Sequence, residues 1–165
     1  MRLIKLGLIS FVVIFLIVFL ISLLMPSHVR ISRAVNIAAK QDRLAASLQS
    51  IDAWYLWNEA VKNAQPMEYI DREKKQLVGK NLEITLVRTT ADSVFTVWRN
   101  HNGKEIAGNL SLQQAGNVTI VQYYFDFHQK WYPWEKFASI NLDKQWGPSM
   151  EKSLENLKKL FEQNQ

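Results

Sequence analysis

The 165-residue sequence contains no cysteine, which excludes disulfide bonds, thiolate metal sites and anchoring as a lipoprotein. Its three histidines, His28, His101 and His128, lack the spacing of metal ligands and have no acidic cluster beside them. No serine lies in a G-x-S-x-G turn, and no glycine-rich phosphate loop is present. We therefore expect no metal, no cofactor and no catalytic residue.

Positive charge is also too sparse for a nucleic-acid partner. The formal net charge is +5, and two of the basic residues, Arg2 and Lys5, precede a long apolar run near the N-terminus. A nucleic-acid surface needs a basic stripe with interleaved aromatic residues, and the sequence has none. We expect no nucleic-acid binding.

Residues 6–25 contain no charged side chain. About 20 such residues, rising about 1.5 Å each as a helix, cover the roughly 30 Å hydrocarbon core of a bilayer. The run exceeds the roughly 7–15 apolar residues of a cleavable signal peptide, and no small-residue cleavage site follows it. We therefore expect a retained single-pass anchor over residues 1–26 and a second domain over residues 27–165, with a cleaved signal peptide as the alternative.

Basic residues flank the apolar run on both sides, with Arg2 and Lys5 before it and Arg30, Arg33 and Lys40 after it. The positive-inside rule therefore gives almost no asymmetry. We expect the short N-terminus to lie in the cytoplasm and the domain to lie outside it.

Alternating hydrophobicity predicts a strand over residues 29–37, and helical spacing predicts a helix over residues 42–51. An aromatic corner, Trp54 to Asn58, follows, and residues 66–79 are a strand or a loop of undetermined register. Period-two patterns then predict four further strands, over residues 82–89, 93–101, 104–112 and 118–128.

Three turns between these strands set an expected register. Asn102-Gly103 predicts a two-residue hairpin in which His101 faces Lys104, and turns at residues 91–92 and 116–117 fix the other pairs. Directly opposed residues share a face. The apolar face is then expected to hold Leu82, Ile84, Leu86, Arg88, Phe95, Val97, Arg99, His101, Ile106, Gly108, Leu110, Leu112, Val121, Tyr123, Phe125 and Phe127. Trp98 falls on the opposite face.

From Lys144 the apolar period becomes helical, with Trp146, Met150, Leu154, Leu157 and Phe161 on one stripe. A helix of this kind must cover an apolar surface, and the sheet face is the available partner. The sequence therefore predicts an α+β domain in which an antiparallel sheet packs against a long C-terminal helix.

This order of elements resembles the SRPBCC superfamily, which includes START lipid-binding domains and polyketide cyclase/dehydrase-like proteins. The residues that carry the resemblance are the strand Val29-Arg30-Ile31-Ser32-Arg33-Ala34-Val35-Asn36-Ile37, the corner Trp54, Trp57-Asn58, the segment Tyr132-Pro133-Trp134 and the helix Met150-Glu151-Lys152-Ser153-Leu154-Glu155-Asn156-Leu157-Lys158-Lys159. The resemblance implies a helix-grip fold, a curved antiparallel sheet wrapped around the last helix, with an apolar-ligand cavity between them. An apolar helix followed by a Pro-Ser pair is similar to membrane-anchored bacterial members, which implies the bacterial inner membrane.

The expected ligand-binding residues lie on the apolar sheet face and on the last helix: Phe95, Val97, Arg99, Leu110, Tyr123, Phe125, Phe127, Trp146 and Met150. An inward guanidinium needs an anionic partner or water, so Arg99 with Tyr123 is a candidate for binding a polar head group. The alternative is that Arg99 reaches the cavity mouth or pairs with a carboxylate such as Glu59 or Asp52.

The leading functional hypothesis is a membrane-tethered, non-enzymatic binder of a small hydrophobic or amphipathic molecule or lipid. One alternative is an enzyme of the cyclase/dehydrase type, for which His101 and Tyr123 are the available acid/base groups. The other is a protein-interaction module with a self-filled core, whose outer face around Trp98 and Tyr124 meets a partner protein. The size of the cavity discriminates between the small-molecule binder and the protein-interaction module.

Overall fold

The computed structural model describes residues 2–64, 67–71, 73, 75–101 and 103–163. Within them the helices are α1 (Arg2–Leu24), α2 (Gln41–Gln49), α3 (Trp54–Trp57), α4 (Glu59–Asn63), α5 (Pro133–Ser139) and α6 (Leu142–Glu162), with a 3-10 turn at Ile51–Ala53. The strands are β1 (His28–Ile37), β2 (Met67–Asp71), β3 (Gln76–Gly79), β4 (Leu82–Thr89), β5 (Ser93–Asn100), β6 (Glu105–Ala115) and β7 (Val118–His128).

The seven strands form one antiparallel sheet in the order β1-β7-β6-β5-β4-β3-β2. Strands β2 to β7 are a meander, and β1 joins it at the far edge beside β7. Helix α6 packs on the inner face of the sheet, and the predicted α+β architecture is confirmed.

Helix α1 projects from this domain with its side chains mostly exposed. Its segment Leu3–Leu24 has a mean hydropathy of 3.1 and is long and apolar enough to cross a membrane. A signal sequence can have the same length and hydropathy. The helix ends before Pro26, and β1 begins two residues later.

The predicted register is confirmed between β6 and β7, where Leu110 pairs with Tyr123, and it is wrong between β5 and β6. Asn100 N donates to Lys104 O at 3.3 Å, so three residues lie in the loop instead of two. Gly103 takes the left-handed conformation, with φ of 71°, which suits a three-residue hairpin. The other residue of the predicted turn, Asn102, lies outside the described residues. Arg99 therefore pairs with Glu105.

A second one-residue shift separates β4 from β5. Arg88 pairs with Phe95, as the predicted turn requires, but a bulge between Leu86 and Arg88 sets Ile84 opposite Trp98. The two shifts lie on opposite sides of β5, so β4 and β6 keep their expected faces. Only in β5 do the inner and outer side chains exchange places. Its inner face carries Val94, Thr96 and Trp98, and its outer face carries Phe95, Val97 and Arg99. The Arg88 side chain also lies on the outer face, 4.2 Å above the Phe95 ring.

Tryptophan rings fill the core between the sheet, the α3 corner and α6. Trp54, Trp57 and Trp98 are all fully buried. Trp54 Nε1 donates to Leu48 O at 2.9 Å, and Trp98 Nε1 donates to Thr96 Oγ1 at 3.0 Å. A buried indole contributes a large apolar area and a polar N–H that usually has a partner, which these two bonds supply for Trp54 and Trp98.

Gly108 lies in the middle of β6, where side chains from both neighbouring strands occupy the space that a Cβ atom would need. A Cβ atom there would lie 2.6 Å from Thr96 Oγ1 and 2.8 Å from Phe125 Cε1. The missing side chain therefore makes room for the Phe125 ring, which is the usual reason for glycine inside a buried strand.

We expect Gly108→Ala to lower the free energy of unfolding by about 1–3 kcal/mol, because Thr96 and Phe125 must both shift. The measurement is chemical unfolding of the full chain in detergent micelles. The control is Ala107→Ser, an exposed neighbour on the opposite face, for which we expect a change within about 0.5 kcal/mol. Equal effects of the two substitutions would contradict the close approach.

Candidate functional site

Aromatic rings converge where α6 crosses the inner face of β5 and β7. The Trp146 ring centroid lies 5.0 Å from that of Phe125, 5.5 Å from Phe127 and 6.3 Å from Trp98. Trp98 and Phe125 meet edge to face at 5.1 Å and 89°. The Trp146 side chain is half-buried, whereas Trp98, Phe125 and Phe127 are buried, so Trp146 closes this cluster on its solvent side.

A small cavity remains beneath the cluster. Its volume is about 10 Å³, and its walls are Asn58, Ala60, Trp98, Tyr123, Phe125, Trp146, Ser149, Met150 and Ser153. A space of this size holds at most about one water molecule. The ligand-sized cavity expected from the resemblance is therefore closed in this conformation.

Part of the cavity wall is polar. Burial raises the pKa of Tyr123 well above its ordinary value, and the Asn58 side chain beside it offsets part of that rise, so the phenol stays neutral. Asn58 Oδ1 accepts from Val61 N at 3.2 Å and caps α4. Asn58 Nδ2 makes no hydrogen bond of normal geometry with any of the described residues. This buried corner thus presents the Asn58 amide beside a neutral hydroxyl, with which it interacts.

The later turns of α6 are tied to the corner formed by α3 and α4. Lys152 Nζ lies 2.7 Å from Glu59 Oε1, and Ser153 Oγ accepts from Glu59 N at 2.9 Å. Asn156 Nδ2 donates to Trp57 O at 3.2 Å. Glu59 is nearly buried, and its hydrogen bond with Lys152 is the main reason that its pKa is lowered. These bonds fix the part of α6 that follows Ser149.

The first turns of α6 are held differently. Pro148 lies inside the helix, has no N–H to donate to the carbonyl one turn earlier, and weakens the helix directly after Trp146. Arg33 of β1 spans this point, with Nη2 2.8 Å from Asp143 Oδ1 and Nε 2.6 Å from Glu151 Oε1. A Cβ atom at Gly147 would lie 2.4 Å from Arg33 Nη2. Glycine at that position is therefore what lets the guanidinium clamp both sides of the proline.

The structure places five of the nine expected binding residues at this site, Tyr123, Phe125, Phe127, Trp146 and Met150, and buries Leu110 elsewhere in the core. Tyr123, Phe125, Phe127 and Met150 are buried, and Trp146 is half-buried beside them. Whether they bind a ligand stays a prediction.

The expected inward positions of Phe95, Val97 and Arg99 are wrong, because the three-residue hairpin loop turns their strand over. Arg99 is exposed and lies 2.8 Å from Glu83 and 2.5 Å from Glu105. Arg99 thus pairs with carboxylates, as the alternative predicts, but these are not Glu59 or Asp52.

Trp98, expected on the outer face as a contact for a protein partner, is 1% exposed and belongs to the site. His101, an expected inner-face acid or base, is exposed in the hairpin loop. Tyr124 does lie on the outer face, where Arg30 stands 4.2 Å above its ring. Among the described residues, no group of three or more histidines and carboxylates is arranged to hold a metal ion.

Sequence reasoning missed Asn58, Ser149 and Ser153 as cavity residues. Asn58 precedes a short helical run, which is a signal for a helix cap. That signal places its side chain at a helix start but does not show which strand it faces. The contact with Tyr123 joins residues far apart in the chain and depends on the fold.

No protein-family model matches the sequence, and no curated protein matches it. Among solved structures, CalU16 from Micromonospora echinospora is 13% identical, with a TM-score of 0.57 over 79% of this chain and 73% of that chain. A Rhodobacter sphaeroides protein is 17% identical, with a TM-score of 0.58 over 79% of this chain and 91% of that one. The chain has the helix-grip fold.

A third similar structure is StfQ, a di-domain ARO/CYC protein from the steffimycin biosynthetic pathway. It is 10% identical, with a TM-score of 0.61 over 83% of this chain and 51% of that chain, so this chain spans about half of StfQ. Likeness at these identities is a likeness of fold, and the same fold supports many functions.

The lowered pKa of Glu59 predicts a pH-dependent contribution to stability. Because the folded-state pKa is depressed, the stabilisation is present at neutral pH and is lost as the pH falls through the folded-state pKa. We expect Glu59→Gln to destabilise the domain by about 1–2 kcal/mol at neutral pH, measured by chemical unfolding. The difference from the wild type should shrink below about pH 4.

The matched control is Glu155→Gln, which removes an exposed carboxylate from α6, the helix that carries Lys152. It should change stability little at any pH. A Glu59→Gln effect that persists undiminished in acid would show that the ionised Lys152–Glu59 contact is not its cause.

Proposed function

We propose that this chain is a membrane-tethered, non-enzymatic binding protein for a small apolar or amphipathic molecule held between the sheet and α6. The observation that carries the proposal is the presence of Asn58 and Tyr123 in the wall of a cleft that is otherwise formed by apolar side chains and two serines. Apolar walls with a few convergent polar groups are typical of small-molecule sites. The Asn58 amide and the Tyr123 hydroxyl are the groups that would hydrogen-bond a polar atom of the ligand.

Binding requires Trp146 to move, because the closed cavity is too small for a ligand. The weak point at Gly147 and Pro148 follows Trp146 directly, and the Arg33–Asp143 ion pair is the polar contact to be broken. The later turns keep their bonds to the α3–α4 corner. In this proposal the segment 142–147 is a lid and the rest of α6 is a fixed wall.

The lid lies at the membrane-proximal end of the domain. Phe127, which contacts Trp146, pairs with Val29, and Val29 follows the end of α1 by only five residues. A lipid-like molecule leaving the bilayer would therefore meet the lid first. We propose α1 as the retained anchor, in a bacterial inner membrane with the domain outside the cytoplasm.

Ser149→Phe should fill the cleft and abolish ligand retention, because Ser149 lines the cavity from α6. The measurement is native mass spectrometry of the full chain released from phosphatidylcholine nanodiscs. We expect the wild type to retain an apolar molecule and Ser149→Phe to lose it. The control Gln145→Phe adds the same ring at an exposed position of the same helix and should retain the molecule.

The competing function is a protein-interaction module with a self-filled core, and the cavity volume of about 10 Å³ favours it. Its contact surface would be the outer sheet face, where Phe95 and Tyr124 lie beneath Arg88 and Arg30. A wild-type chain, a Ser149→Phe variant and a Gln145→Phe control that each show only the mass of their own polypeptide would contradict ligand binding and support this module.

A further inference from the structure

The connection from β7 to α6 carries an apolar surface. Between residues 131 and 140, the exposed side chains are Trp131, Trp134, Ala138 and Ile140, all of them apolar. Trp131, Trp134 and Ile140 are each more than 60% exposed. A soluble domain rarely leaves large rings clustered in water without a binding purpose.

The charged side chains of this segment turn away from that surface. Lys136 is buried and its Nζ donates to Met25 O at 3.0 Å. Glu135 is half-buried, and its Oε2 accepts from Lys130 N at 3.0 Å. None of the four exposed side chains of residues 131–140 therefore carries a charge that would oppose contact with an apolar phase.

The same segment contacts the end of α1. The Trp131 and Phe19 rings meet edge to face at 6.5 Å, and the Lys136–Met25 bond fixes α5 beside the point where α1 stops. Phe19 lies five residues before Leu24, which corresponds to about 7–8 Å along a helix axis. Trp131 therefore sits alongside the last turns of the apolar run.

That depth is where interfacial helices and aromatic side chains reside in a bilayer. An apolar helix face lies about 5–10 Å into the boundary between head groups and acyl chains, and Trp and Tyr are enriched there. Tyr132 completes the cluster, stacked on Trp134 at 4.9 Å with the rings 6° from parallel.

We propose that Trp131 and α5 form an interfacial docking surface that inserts Trp131, Trp134, Ala138 and Ile140 into the leaflet where α1 ends. The inference rests on the proposed role of α1 as a membrane-spanning anchor. It gives the domain a fixed orientation on the bilayer. Because α6 begins three residues after α5 ends, this orientation also holds the lid at the lipid surface.

The absence of cysteine allows a direct test with single labels. Ala138→Cys, Ile14→Cys and Val87→Cys are each labelled with an environment-sensitive nitrobenzoxadiazole probe, in the full chain in phosphatidylcholine nanodiscs. Ala138 reports the docking surface, Ile14 the spanning helix, and Val87 an exposed site on β4. For each labelled variant, we measure how strongly the probe is quenched by lipids spin-labelled near the head group and by a soluble quencher.

We expect the label at position 138 to shift to the blue and to be quenched by the shallow lipid label rather than by the soluble quencher. The label at position 87 should behave as in water. A water-like signal at 138 together with a lipid-buried signal at 14 would overturn the docking surface alone. A water-like signal at both positions would overturn the anchor as well, so the two failures are distinguishable.

Discussion

The contact of Trp98 and Trp146 with Phe125 is the interaction on which the rest of the structure depends. It joins the middle strand of the sheet, the strand beside β1 and the start of α6 through one set of rings. Gly108 permits it by leaving room for Phe125, and Thr96 permits it by accepting the Trp98 N–H. The same contact closes the cleft, so the stability of the core and access to the site are set by the same side chains.

The two parts of α6 are held by different kinds of interaction. The later turns are bound through Glu59, which is nearly buried, and through the Trp57 carbonyl. The first turns depend on ring packing and on Arg33, whose partners Asp143 and Glu151 are largely exposed to water. Exposed ion pairs contribute little and weaken in salt. A low-stability segment beside a fixed one is the arrangement that a lid needs.

Periodicity and short turns predicted the strands, the last helix and the register of Leu110 against Tyr123, because each depends on neighbours in sequence. They failed at β5, where the hairpin has three loop residues instead of two and a bulge after Leu86 compensates at the other edge. A single-residue error in loop length turns every side chain of a strand over. The pairing of Asn58 with Tyr123 and of Arg33 with Asp143 could not be predicted, because it depends on how distant elements pack.

The most direct test of the account is hydrogen exchange, followed by mass spectrometry, on the full chain in phosphatidylcholine nanodiscs. The account predicts that backbone amides in residues 142–147 exchange faster than those in residues 149–161. It also predicts that added oleate slows exchange in the first segment. Equal protection along the whole of α6, unchanged by oleate, would contradict a lid and leave the filled core as a fixed structure.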